Sequence, residues 1–88
     1  MALILASGGG SAMPDFEMNI TINGHFTRNG SVPQNRPWTE GWKITSVGGV
    51  NTATRTSGGG AHGIDATAEG VVINDYIDSI TINSITIL

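Results

Sequence analysis

The stretch FEMNITIN, Phe16 to Asn23, sets apolar Phe16, Met18, Ile20 and Ile22 against Glu17, Asn19, Thr21 and Asn23 in strict alternation. A period of two held this long specifies a β-strand with one buried face, because successive side chains of an extended chain point to opposite sides. Outward from it, Asn23-Gly24 is a favoured hairpin pair, and His25 to Arg28 is expected to begin a return strand. Asn29-Gly30 and the stretch through Pro33 and Pro37 read as an irregular loop. Alternation resumes at Trp42, Lys43, Ile44 and Thr45 and ends at Gly48-Gly49. Asn51 to Thr56 alternates small residues with threonine, a strand that buries little and relies on its partner for bulk.

The C-terminal third is the most β-like, with Val71 to Ile77 followed by Ile80, Ile82, Ile85 and Ile87 among threonine, serine and asparagine. The tripeptide Ile-Thr-Ile stands at 20–22, 80–82 and 85–87. A spacing of five between the last two is odd, so on one flat strand Ile80 and Ile82 face away from Ile85 and Ile87. A tight turn at Asn83-Ser84, a bulge, or a strand covered on both faces would each accommodate this. The chain ends on apolar Leu88, which favours burial of that terminus. Two glycine runs, SGGGSA at 7–12 and SGGGAHG at 57–63, are flexible links or places of close backbone approach. Asp65 to Glu69 has room for one helical turn stopped by Gly70, and no longer helix can be written. The expected class is all-β: a small antiparallel sandwich or barrel-like module over 15–88, preceded by an extended arm over 1–14.

The chain has 88 residues, no cysteine, 13 glycines and a net charge of -3. A chain of this size buries only about 60–65% of its unfolded surface, so it depends on a well-made core or on partners once disulfides are excluded. Charged residues make up 12%, roughly half the usual share of about 25%, which suits a surface covered by neighbours. Arg28, Arg36, Lys43 and Arg55 are dispersed, which argues against nucleic-acid binding by phosphate neutralisation. The opening MALILASGGGSA lacks a positive n-region, and its apolar stretch from Ala2 to Ala6 is shorter than a signal peptide needs. No segment approaches a membrane span of about 20 apolar residues. The expectation is a protein made in the cytoplasm, without signal peptide or membrane partner.

Motifs that carry chemistry are weak. GGGAHG at 58–63 matches a dinucleotide-binding turn only formally, since neither a helix nor a βαβ unit follows. His25 and His62 lie in different segments, and a metal site would need them to converge with carboxylates such as Asp65 or with symmetry copies. Ser57, His62 and Asp65 contain the residue types of a hydrolase triad, but inside a glycine loop rather than on a rigid scaffold. Asp15 with Glu17, and Asp75 with Asp78, are the carboxylate pairs closest in sequence; for Asp15 and Glu17, which share one side of their strand, a solvated face is the expected reading ahead of calcium or acid–base work. Asn19 and Asn29 sit in glycosylation sequons, yet no export signal precedes them. Trp38 and Trp42 in RPWTEGWK are the distinctive aromatic pair, suited to core packing, to anchoring a subunit interface or to stacking a sugar.

A tiny, cysteine-free, charge-poor chain rich in Gly, Thr, Ser, Asn and Ile resembles the small accessory proteins of tailed-bacteriophage particles, both capsid decoration proteins and tail or fibre modules. That resemblance implies a non-enzymatic virion protein, oligomeric as a dimer or trimer, bound to a larger lattice such as a major capsid or tail protein. It implies no cofactor, metal or nucleic acid. Leu3, Ile4 and Leu5, tethered by the first glycine run, are suited to add as a strand to a neighbour's edge, and Ile85, Ile87 and Leu88 to do likewise. With Trp38 and Trp42 they form the expected partner-binding set. The competing expectations are a receptor- or carbohydrate-binding tail module and a small hydrolase.

Overall fold

The computed structural model describes residues 13–59, 62–64 and 72–88. Four antiparallel strands, β1 (Phe16–Asn29), β2 (Val32–Val47), β3 (Val50–Ser57) and β4 (Val72–Ile87), form one open sheet in the order β3-β2-β1-β4. The all-β, antiparallel class expected from the sequence is thus the class that folds. The molecule measures 52 × 23 × 23 Å, and its length is that of a strand of about 16 residues rising about 3.3 Å each. The expected arm, apart from Met13 and Pro14, and the helical turn at 65–69 lie outside the described residues.

Asn23-Gly24 is not a turn: β1 runs straight through it, and the hairpin forms at Gly30-Ser31, between the paired Asn29 and Val32. Pro33 and Pro37 do not interrupt β2 either. Beside β1 they pair with Arg28 and His25, while β3 covers only Gly41–Val47 on the other side. A proline without an N–H is tolerated where the strand is an edge, as β2 is at this end. The second hairpin turns at Gly48-Gly49, where both φ angles are positive (59° and 80°), as a type I′ turn demands.

Register resolves the isoleucine spacing. In β4 the pairing slips between Asn19 and Ile20 and again between Asn23 and Gly24, leaving Asn83 and Asp78 as extra residues in two bulges. Each slip restores phase, so Ile77, Ile80, Ile82, Ile85 and Ile87 pair with the even-numbered residues of β1 and share their face. Of the alternatives for Asn83-Ser84, the bulge is the one adopted.

Cross-sheet rows follow from the pairings. One face carries Asn51-Ser46-Phe16-Ile87, then Ala53-Ile44-Met18-Ile85, then Arg55-Trp42-Ile20-Ile82, and beyond these Glu40-Ile22-Ile80 and Trp38-Gly24-Ile77. The opposite face is mainly threonine, serine and asparagine, with Glu17, Lys43 and His25 among them, and on it Asn19 Nδ2 donates to Ser84 Oγ (3.1 Å) and Thr39 Oγ1 to Asn23 Oδ1 (2.8 Å). The extra residues serve this polar face: Asn83 Nδ2 donates to Thr21 Oγ1 (2.7 Å), and Asp78 meets His25 Nδ1 (2.9 Å). Among the described residues a second layer lies over only part of the apolar face. β3 and β4 are opposite edges, so the chain joining them must cross the sheet, and Gly58 and His62 to Ile64 lie over Glu40 and Phe26. Beneath that crossing Ile22 and Phe26 are buried, and Glu40 is 0% exposed.

Candidate functional site

Trp38, Glu40 and Trp42 alternate along β2 and therefore project from one face. Glu40 Oε1 accepts from Trp42 Nε1 (2.9 Å) and from the Ile64 N–H (3.2 Å). Asp75 of β4 works in parallel: Oδ1 accepts from Trp38 Nε1, and Oδ2 from the Gly63 N–H (2.9 Å). Each carboxylate thus ties one indole to the crossing segment. Gly63 makes this possible, since its φ is 115° and a Cβ there would run into the Glu40 carboxylate. Glu40 Oε2 and His62 Nδ1 are buried and have no hydrogen-bond partner among the described residues.

Both tryptophans are half-buried, with their N–H groups committed inside the fold. His25 and His62 are on opposite faces, the first against Asp78 and Tyr76, the second stacked on Phe26 at 3.5 Å between ring centroids. Ser57 Oγ accepts from the Gly41 N–H (3.1 Å), and His62 Nδ1 has no bond to it; Asp65 lies outside the described residues. Asp75 and Asp78 are divided by the sheet, Asp75 under Trp38 and Asp78 beside His25. Asp15 is occupied structurally, its Oδ1 accepting from Gly48 N (3.0 Å) and its carbonyl from Leu88 N (2.9 Å). Among the described residues no three His, Asp or Glu converge as metal ligands, and no helix is long and apolar enough to cross a membrane. A shallow groove of about 160 Å³ lies between Trp38, Gly63, Ile64, Asp75, Tyr76 and Ile77.

No known family, curated protein or solved structure matches the chain.

The surface that stands out is apolar rather than chemical. Ile77, Ile80, Ile82 and Ile87 are 51%, 57%, 56% and 46% exposed, and they line one side of an edge strand. Ile85 is half-buried between them, and Leu88 at the chain end is exposed. Of the residues expected to bind partners, Ile85 and Ile87 lie on this surface and Leu88 extends it; Trp38 and Trp42 share the face, and Leu3, Ile4 and Leu5 are outside the described residues. Ile77, Ile80 and Ile82 were missing from that set. The signal that would have found them is the pair of polar insertions, Asp78 and Asn83, read as bulges.

Proposed function

We propose that the chain is a non-enzymatic structural protein of a virus particle, a capsid decoration or minor capsid protein that stabilises subunit junctions. The observation that carries this reading is the exposed isoleucine row on the uncovered part of a single sheet. A lone sheet with one apolar face completes a core only against a second layer, and exposed isoleucine surface of this extent is a mark of interaction surfaces. Burial across a joint contributes about 25 cal/mol per Å² of apolar surface, with no need for chemistry. Among the described residues β4, with 16 residues, pairs on one side alone, which suits its other side to strand addition, and Leu3 to Leu5 of a neighbour are the segment suited to it. The carboxylates of Glu40 and Asp75 are hydrogen-bonded to the Trp42 and Trp38 indoles and to backbone, which fits a structural role.

The experiment is to probe gradient-purified particles, released from cells that carry the gene, with an antibody raised against the chain. Co-migration with the particle in repeated copies is expected; absence from purified particles overturns the proposal. The groove beside Trp38 favours one second reading, a receptor- or carbohydrate-binding tail module. Saturable glycan binding by the intact protein would select it.

A further inference from the structure

We infer that the uncovered half of the apolar face is the contact surface for a second copy of this chain, two sheets packing face to face around a twofold axis. The inference rests on the structural reading above and names the partner of that surface. Among the described residues the crossing segment covers the face over Ile22, Phe26 and Glu40, and its Gly59 lies against Arg55, which leaves the rows through Phe16 and Met18 and, beyond Arg55, the row through Ile20 as the open part. Among the described residues Arg55, at the β3 end, is the one charged residue on those rows; Glu17 and Lys43 project from the other face. A surface so poor in charge is matched by one equally poor in charge, and a second copy presents it with the same shape, as an isologous contact requires.

Size points the same way. Four strands about 4.8 Å apart and rows spanning roughly 20–25 Å give a plan area of about 400–450 Å² per copy. Side-chain relief raises the accessible area, so the pair buries on the order of 1,000 Å², where specific interfaces begin. The product is a two-layer sandwich with sheets about 10 Å apart, in which the crossing segment of each copy borders the other. Residues 1–12 are the rival occupant, because β1 starts beside the end of β4, where Asp15 O accepts from Leu88 N.

The test is sedimentation equilibrium of the full chain, with circular dichroism on the same samples. Ile82→Lys on β4 and Ala53→Lys on β3 place charge at the two margins of the face; Thr81→Lys places it on the polar side. The expected result is a dimer whose dissociation constant rises at least about tenfold with either face variant and stays unchanged with Thr81→Lys. Ala53 is exposed and lies away from β4, so it distinguishes face packing from edge pairing even where Ile82→Lys fails to fold. A monomer, a trimer, a dimer indifferent to Ala53→Lys, or a monomer that dimerises only after removal of residues 1–12 overturns the inference. A monomer still present in purified particles overturns this inference alone and leaves the proposed function standing.

Discussion

A methyl group on Gly24 would run into the Trp38 ring and the Tyr76 carbonyl. Trp38 sits on β2 and its partner Asp75 on β4, so the indole must lie across β1, and only a residue without a side chain lets it pass. Gly24→Ala is therefore expected to lower stability by about 1–3 kcal/mol through overpacking, measured by urea unfolding. Asn23-Gly24 reads as a turn in sequence because turn propensity is local, whereas the ring that demands this glycine comes from a different strand. Glu40 was more legible than it looked: its alternation with Trp38 and Trp42 already places a carboxylate between two indoles. Glu40→Ala leaves the Trp42 indole and the Ile64 amide without their acceptor. An expected loss of about 2–4 kcal/mol, one buried donor counted for each, should appear as a lower urea midpoint, with a shifted tryptophan emission maximum.

At the level of elements, the strict alternation from Phe16 to Asn23 was sufficient to identify a strand with one buried face, while the Asn23-Gly24 pair hid its continuation to Asn29. β4 was harder to read, since a bulge residue looks in sequence like a residue of a turn. Asn83 and Asp78 are polar insertions that return the isoleucines to one face, and their side chains find Thr21 and His25 on the other. β2 was half hidden by its two prolines, which matter only if their N–H positions are needed for pairing; that depends on how far β3 extends. Deleting Asn83 is expected to close the bulge, with Ser84 still opposite Asn19 and Ile82 still opposite Ile20 in unbroken alternation, so that every isoleucine of β4 keeps its face. The cost is then that of the lost bond to Thr21, no more than about 1 kcal/mol, read as a small shift of the unfolding midpoint. Asn83→Ala, which keeps the bulge and removes only the bond to Thr21, should cost no more than about 1 kcal/mol.

On the scale of the whole molecule, which is 52 Å long, the described residues place too little second layer on the single sheet to bury its apolar face. Ile22 and Phe26 are the only apolar side chains buried among the described residues, both beneath the crossing segment. Stability must then depend on what covers the other half. If a second copy does so, unfolding is coupled to dissociation, and mass action raises the melting temperature with concentration. A tenfold increase in chain concentration adds about 1.4 kcal/mol per dimer, or about 0.7 kcal/mol per chain, at the transition. For a domain of this size that corresponds to a rise of roughly 3–5 °C, measurable by calorimetry over two decades of concentration. Ala53→Lys should flatten the dependence, because the variant melts as a monomer. A melting temperature indifferent to concentration in the unmodified chain would mean that each copy covers its own face, and the isoleucine row would then have to find its partner within the chain itself.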